Sequence, residues 1–362
     1  MARLRLRIGF SAALAAGLLL AAVPAARADS LLATTVSAGE AVDRDCTARE
    51  LGGAAGVDSR SVTAPALAMI EARLDGGEGD WDLAVLDAKS GATVAGSAYR
   101  SSTEVAQGFV TEGQELIVQA CRRSGGSGTA DLTVDATEIE PGPAQPSSLV
   151  NVSTPTGAEK SELQTLGLDV TEHAGDDFMQ VVTHGPGDFD TLREAGFSYT
   201  VQVSDLARQS ARHRQVEADY ARSVRQSSLP SGRETYRRLF DYSEELKALA
   251  DANPDLVKPF TLPFETYEGR PVEGIEITTN PDAVDGKPVF LNMGVHHARE
   301  WPSGEHAMEW AFELVRGHGR DPHVTDLVER VRTIVVPVVN VDGFNLSREA
   351  PVGVETLTSE EG

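Results

Sequence analysis

Gly294-Val295-His296-His297-Ala298-Arg299-Glu300-Trp301 sets an imidazole and a carboxylate three residues apart, directly after an apolar run that reads as a strand. From the turn leaving such a strand, His297 and Glu300 can converge on one ion. A neutral imidazole plus a carboxylate is half of a zinc site with an open coordination position, the arrangement used for hydrolysis. His296 faces the other way if the segment is extended, which suits a packing role or a role behind the ligands. The flanking cation, Arg299, taken by itself, is compatible with a surface ion-pair partner. A second His-x-x-Glu, His306 with Glu309, falls on an apolar-periodic helix beside Trp310 and reads as structural.

The elements that must hold this loop follow an α/β rhythm from about Arg233. Tyr236 to Ala252 has helical apolar spacing and stops at Asn253-Pro254. Strands are expected over 257–262, 272–278 and 288–295, then a helix from Pro302 that buries Ala307, Trp310, Ala311, Leu314 and Val315. A short helix over 324–330 leads into Thr333 to Val339, a nearly all-apolar run of the kind found in central strands. Asn340-Val341-Asp342-Gly343-Phe344 reads as the turn beyond it, with Asp342 explained by turn chemistry.

Two further segments precede this one. Residues 29–140 alternate short β-prone runs with Gly, Ser and Asp turns, which predicts an all-β sandwich resembling the accessory domains beside secreted bacterial proteases. The clearest strands are 81–86, 104–110, 115–120 and 130–134. Pro141 to Pro146 reads as a stiff linker. Residues 147–206 order as strand, helix, strand, helix, strand, compatible with a small α+β unit of ferredoxin-like type. Residues 207–232 form a polar, helical connector. Arg222, Arg225 and Arg233 at its end would be open to a trypsin-like protease if exposed.

Composition narrows the setting. Arg3, Arg5 and Arg7, the apolar stretch Ile8 to Val23 and Ala26-Arg27-Ala28 have the form of a secretory signal over residues 1–28. No later segment approaches a bilayer-spanning length. The whole chain carries 32 basic and 55 acidic residues; losing the four arginines of the signal leaves 28 against 55, a charge of −27. Such a surface repels phosphate backbones and argues against nucleic-acid binding. In an oxidising compartment Cys46 and Cys121 are expected to pair.

Tyr267-Glu268-Gly269-Arg270-Pro271, the His297–Glu300 motif and Val338-Val339-Asn340-Val341-Asp342-Gly343-Phe344 occur in the order and spacing of the zinc metallocarboxypeptidase family, which the chain resembles over about residues 147–350. The resemblance implies that residues 233–362 are the first half of an α/β zinc-carboxypeptidase domain acting on peptides or proteins. His297 and Glu300 would be its first two zinc ligands and Arg299 a substrate contact. Residues 147–206 with the connector would be an activation segment, propeptide-like, removed by an activating protease. The same resemblance expects a third zinc ligand, a histidine, well after Asn340, followed by a carboxylate-gripping arginine, a tyrosine and a glutamate base. No histidine follows His323, and Arg348 sits too near the Asn340 turn for the carboxylate role. No catalytic residue is therefore assigned within the chain. The general base is expected beyond Gly362, and the chain alone is expected to be an inactive front part of the enzyme. Two other readings are compatible with the residues: a non-catalytic extracellular binding protein, and a zinc amidohydrolase of the deacylase type.

Overall fold

A computed structural model describes residues 28–139 and 146–350 of the chain. The signal sequence over 1–28, apart from Ala28, and the linker, apart from Pro146, lie outside the described residues.

Eight strands come first: β1 (Ala28–Ser37), β2 (Val57–Thr63), β3 (Ala68–Asp75), β4 (Asp80–Asp87), β5 (Thr93–Ser97), β6 (Thr103–Val110), β7 (Glu115–Ser124) and β8 (Thr129–Glu138). They form two four-stranded sheets, ordered β1-β8-β3-β6 and β2-β7-β4-β5, with every pair antiparallel. In β3 the side chains of Ala68, Ile70, Ala72 and Leu74 are fully buried while their neighbours are not. That period of two lays one face on a core shared with Leu83, Val85, Leu116, Val118, Leu132 and Val134 of the other strands. Cys46 and Cys121 are bonded, and both are buried beside Leu51.

A third sheet follows, built from β9 (Ser148–Ser153), β10 (Asp169–Ala174), β11 (Phe178–Thr183) and β12 (Tyr199–Val203) in the order β10-β11-β9-β12. All of its pairs are antiparallel. Helices α1 (Gly157–Gln164) and α2 (Pro186–Glu194) contribute Leu163 and Leu192 to a core with Val150, Val152, Met179 and Val181. Thr156 and Glu159 close a capping box at the start of α1. The sequence shows three strands here; the fourth, β10, is the polar hairpin partner of β11. The connector is α3 (Leu206–Ser223), which buries no residue.

The rest comprises α4 (Leu239–Ala252), β13 (Val257–Thr261), β14 (Glu273–Ile277), β15 (Val289–Met293), α5 (Trp301–Gly317), α6 (Pro322–Arg330), β16 (Arg332–Val336) and α7 (Val341–Glu349). The sheet order is β13-β14-β16-β15. The family resemblance implies a parallel-type sheet, but only β15 and β16 run parallel. β13 and β14 form a hairpin, and β14 meets β16 antiparallel. The difference follows from the connections: the loop over residues 262–272 turns β13 back into β14, whereas α5 and α6 make the crossover that a parallel pair requires. Ile275, Ile277, Val335, Ala307, Ala311 and Leu314 join one core. β16 is central, and β15 stands at the edge with Val289, Phe290, Leu291 and Met293 exposed.

Candidate metal centre

Gly294 leaves β15 through a passage too tight for a side chain. A Cβ there would lie 2.6 Å from the carbonyl oxygen of Pro337 and 2.9 Å from the Cα of Gly304, which explains the glycine before the motif. Its N–H donates to Val336 O at 3.0 Å, and its carbonyl accepts from Val339 N–H at 3.0 Å. Val295 is fully buried and has φ of 50°, a left-handed conformation that a β-branched residue rarely adopts. Three hydrogen bonds hold the loop there. Asn340 N–H donates to Val295 O at 2.9 Å. Val295 N–H donates to Ser303 Oγ at 2.8 Å, and that hydroxyl donates to Glu300 O at 2.7 Å. Ser303 thus ties the start of the loop to its end.

Between these ties the chain turns back, with Glu300 N–H donating to His297 O at 3.0 Å. The turn brings His297 Nδ1 to 3.0 Å from Glu300 Oε1, with both side chains open to solvent. Zinc bonds of about 2.0–2.2 Å in a tetrahedral shell place neighbouring donors about 3.3–3.6 Å apart, so the pair, hydrogen-bonded at 3.0 Å, needs only a small opening to share an ion. Among the described residues no group of three His, Cys, Asp or Glu side chains could hold a metal ion. His296 is exposed, and its carbonyl accepts from Asn340 Nδ2 at 3.5 Å.

The flanking side chains divide sharply. Arg299 donates to Glu172 of β10, Nη2 to Oε2 at 2.9 Å, with both groups exposed. Backbone hydrogen bonding and then Arg299 hold the Glu172 carboxyl below its ordinary value. Arg348 lies over the Trp301 ring, 5.0 Å from its centre, and donates to the carbonyls of Tyr236 and Arg237. Glu309 accepts from Ser231 and Arg237, while His306 is exposed.

Asp342 requires a correction to the turn reading. Residues 341–349 are the helix α7, capped by Asn340, whose Oδ1 accepts from Gly343 N–H at 3.0 Å. Asp342 reaches out of it to accept from Thr266 Oγ1 at 2.9 Å, Arg270 Nη1 at 2.6 Å and Glu268 N–H at 3.1 Å. It therefore pins the Tyr267–Arg270 segment against the start of α7. Arg233 is also not open to proteolysis. It is mostly buried and paired with Asp241 and Glu245 at 2.8 and 2.6 Å. Ser303 and Arg237 have no local signal in the sequence; only the contact of distant segments reveals them.

Residues 242–360 match the family described as zinc carboxypeptidase. Carboxypeptidase B of Helicoverpa zea is 30% identical over 208 residues, covering 54% of this chain and 46% of that protein. Carboxypeptidase A2 of Rattus norvegicus is 28% identical over 158 residues, covering 43% and 36%. Among solved structures, the carboxypeptidase A of Helicoverpa armigera superposes with a TM-score of 0.49 at 20% identity, covering 57% of this chain and 51% of that one. The chain spans less than half the length of these two curated relatives. Over residues 242–360 the chain is thus similar to the zinc carboxypeptidases, and the curated relatives it matches are carboxypeptidases of the A and B types.

Proposed function

We propose that this chain carries the first metal-ligand pair of a secreted zinc metallocarboxypeptidase that releases C-terminal residues from peptides or proteins. The observation that carries the reading is the 3.0 Å approach of His297 Nδ1 to Glu300 Oε1 on a turn fixed at both ends. These two side chains would hold zinc, which when bound supplies polarisation of a peptide carbonyl and activation of water. The third ligand and the general base lie outside the described residues in this reading. The described part alone is therefore a weak metal binder without peptidase activity. The apolar stretch near the N-terminus supports export, and among the described residues no helix is long and apolar enough to cross a membrane.

Arg299 offers a guanidinium to a substrate carboxylate, and Glu172 now occupies it. That contact supports a zymogen-like role for the β9–β12 unit, which covers the substrate position until an activating protease separates it. Arg225 is the exposed basic residue in the irregular segment after α3 and suits that cleavage.

Calorimetric titration of the purified chain with zinc tests the metal assignment. One weak site is expected, lost in His297→Ala and in Glu300→Gln. Stoichiometric zinc that survives both substitutions would place the metal elsewhere and overturn the reading.

A further inference from the structure

The β-sandwich has a polar face that is buried against the α/β part of the chain, and ion pairs and hydrogen bonds cross the seam. Lys247 of α4 is 6% exposed and donates to Asp82 of β4 at 2.9 Å. Asp82 is fully buried, and Arg123 of β7 pairs with its second oxygen at 3.0 Å. Arg238, just before α4, donates to the carbonyls of Thr93 and Val94 in β5 at 2.6 and 2.7 Å. Gly96 of β5 lies so close to the Phe240 ring that a Cβ would meet it at 2.7 Å. At the other end, fully buried Arg270 donates to the side chain of Gln107 in β6 as well as to Asp342 and Glu268. Asn345 of α7 donates to Gln107 O at 3.4 Å, and Arg73 of β3 donates to Glu268 O at 3.1 Å.

A module tethered for an outside ligand presents its charges to water, since isolated buried charges are costly. Here Lys247 takes Asp80 at 3.4 Å as well as Asp82 across the seam, and separation would break both ion pairs. We propose that the sandwich is an integral scaffold of the α/β unit. In this role Gln107 is a positioning residue that acts through Arg270 on the Asp342 corner beside the His297–Glu300 loop. The scaffold rests on these contacts alone and does not depend on the peptidase reading.

Hydrogen exchange on the full chain tests it. In mild denaturant, the slowest amides of β4 and β6 and those of α4 and β16 should open together, with the same dependence on denaturant. Gly96→Leu should speed exchange throughout α4 and in residues 266–270 and 341–349, while the sandwich core keeps its protection. Gln107→Ala should speed it about tenfold in 266–270 and 341–345 only, the effect of losing one charge-assisted hydrogen bond. Independent opening of the two halves in the unmodified chain would overturn the proposal without any variant. So would a Gly96→Leu protein with a protected sandwich and unchanged exchange in α4. Zinc titration is a separate readout, so failure of the metal reading leaves this result standing.

Discussion

Arg237 joins α4 to α5, and its removal gives a quantitative test of how the helix behind the His297–Glu300 loop is held. The guanidinium is fully buried. Its Nε and Nη2 donate to Glu245 Oε2 at 2.9 and 2.7 Å, Nη1 donates to Glu305, and Nη2 donates to Glu309 Oε1 at 2.9 Å. The backbone N–H adds a bond to Glu305 Oε1 at 2.6 Å. Arg237→Met keeps most of the apolar stem and leaves three carboxylates facing one another. At a spacing of about 5 Å and an effective dielectric near 20, each ionised pair repels by about 3 kcal/mol. Breaking a buried ion pair by deleting one partner costs about 3–5 kcal/mol, and that is the expected loss at pH 7.5.

The loss should depend on pH, with a definite sign. Burial already raises the Glu305 carboxyl above its ordinary 4.5, and Arg237 is the leading influence holding it down. Without the guanidinium it rises further, so the folded variant binds protons more readily than the unfolded chain. The penalty is therefore full above the folded value and fades as pH falls toward 4.5. Urea unfolding followed by circular dichroism at pH 5 to 8 measures it. The gap between parent and variant should shrink by about half or more at pH 5. A gap below about 1 kcal/mol at pH 7.5, or one that is flat with pH, would refute the electrostatic argument. It would leave Arg237 as packing against Tyr242 and Phe312.

Three other outcomes are expected. Burial and the neighbouring Asp82 push the Glu244 carboxyl up to about 8, against opposing Lys247 and Arg123. Stability should therefore fall as pH rises from 4.5 through 8, and Glu244→Gln should remove that slope and gain about 1–3 kcal/mol at pH 9 by urea unfolding. Brief trypsin treatment should cut first after Arg225, giving a fragment that begins at Gln226; a first new N-terminus at Glu234 would contradict the pairing of Arg233. Glu172→Gln should leave the unfolding midpoint unchanged, because exposed ion pairs contribute little. It should nevertheless raise the rate at which phenylglyoxal modifies Arg299, read by mass spectrometry.

The chemistry-bearing loop is the most legible part of the sequence because its logic is local. Gly294, His297 and Glu300 lie within one turn, and the glycine is required by the approach of Pro337 O. The hairpin partner β10 is hidden because Asp169-Val170-Thr171-Glu172-His173-Ala174 is a polar edge strand with almost no apolar alternation. β3 is hidden for a different reason: Ala68-Met69-Ile70-Glu71-Ala72-Arg73-Leu74 is built from strong helix formers, and packing against β6 and β8 overrides that preference. α7 reads as a turn because Asp342 and Gly343 fall in its first helical turn, where Asn340 caps it. The docking of the sandwich has no sequence signal at all. Gln107 and Arg270 are 163 positions apart, and nothing near either residue announces the other.

Val295 sets two demands of the fold against each other. The backbone there has φ of 50° and would be relaxed by glycine, whereas the core wants a branched side chain and buries it completely. The conformation costs on the order of 1–2 kcal/mol for an L-residue with a Cβ. Sequence changes selected only for thermal resilience would tend to ease this position. They would also free the peptide that orients His297, so this locus is one where robustness and a sharply posed imidazole pull in opposite directions.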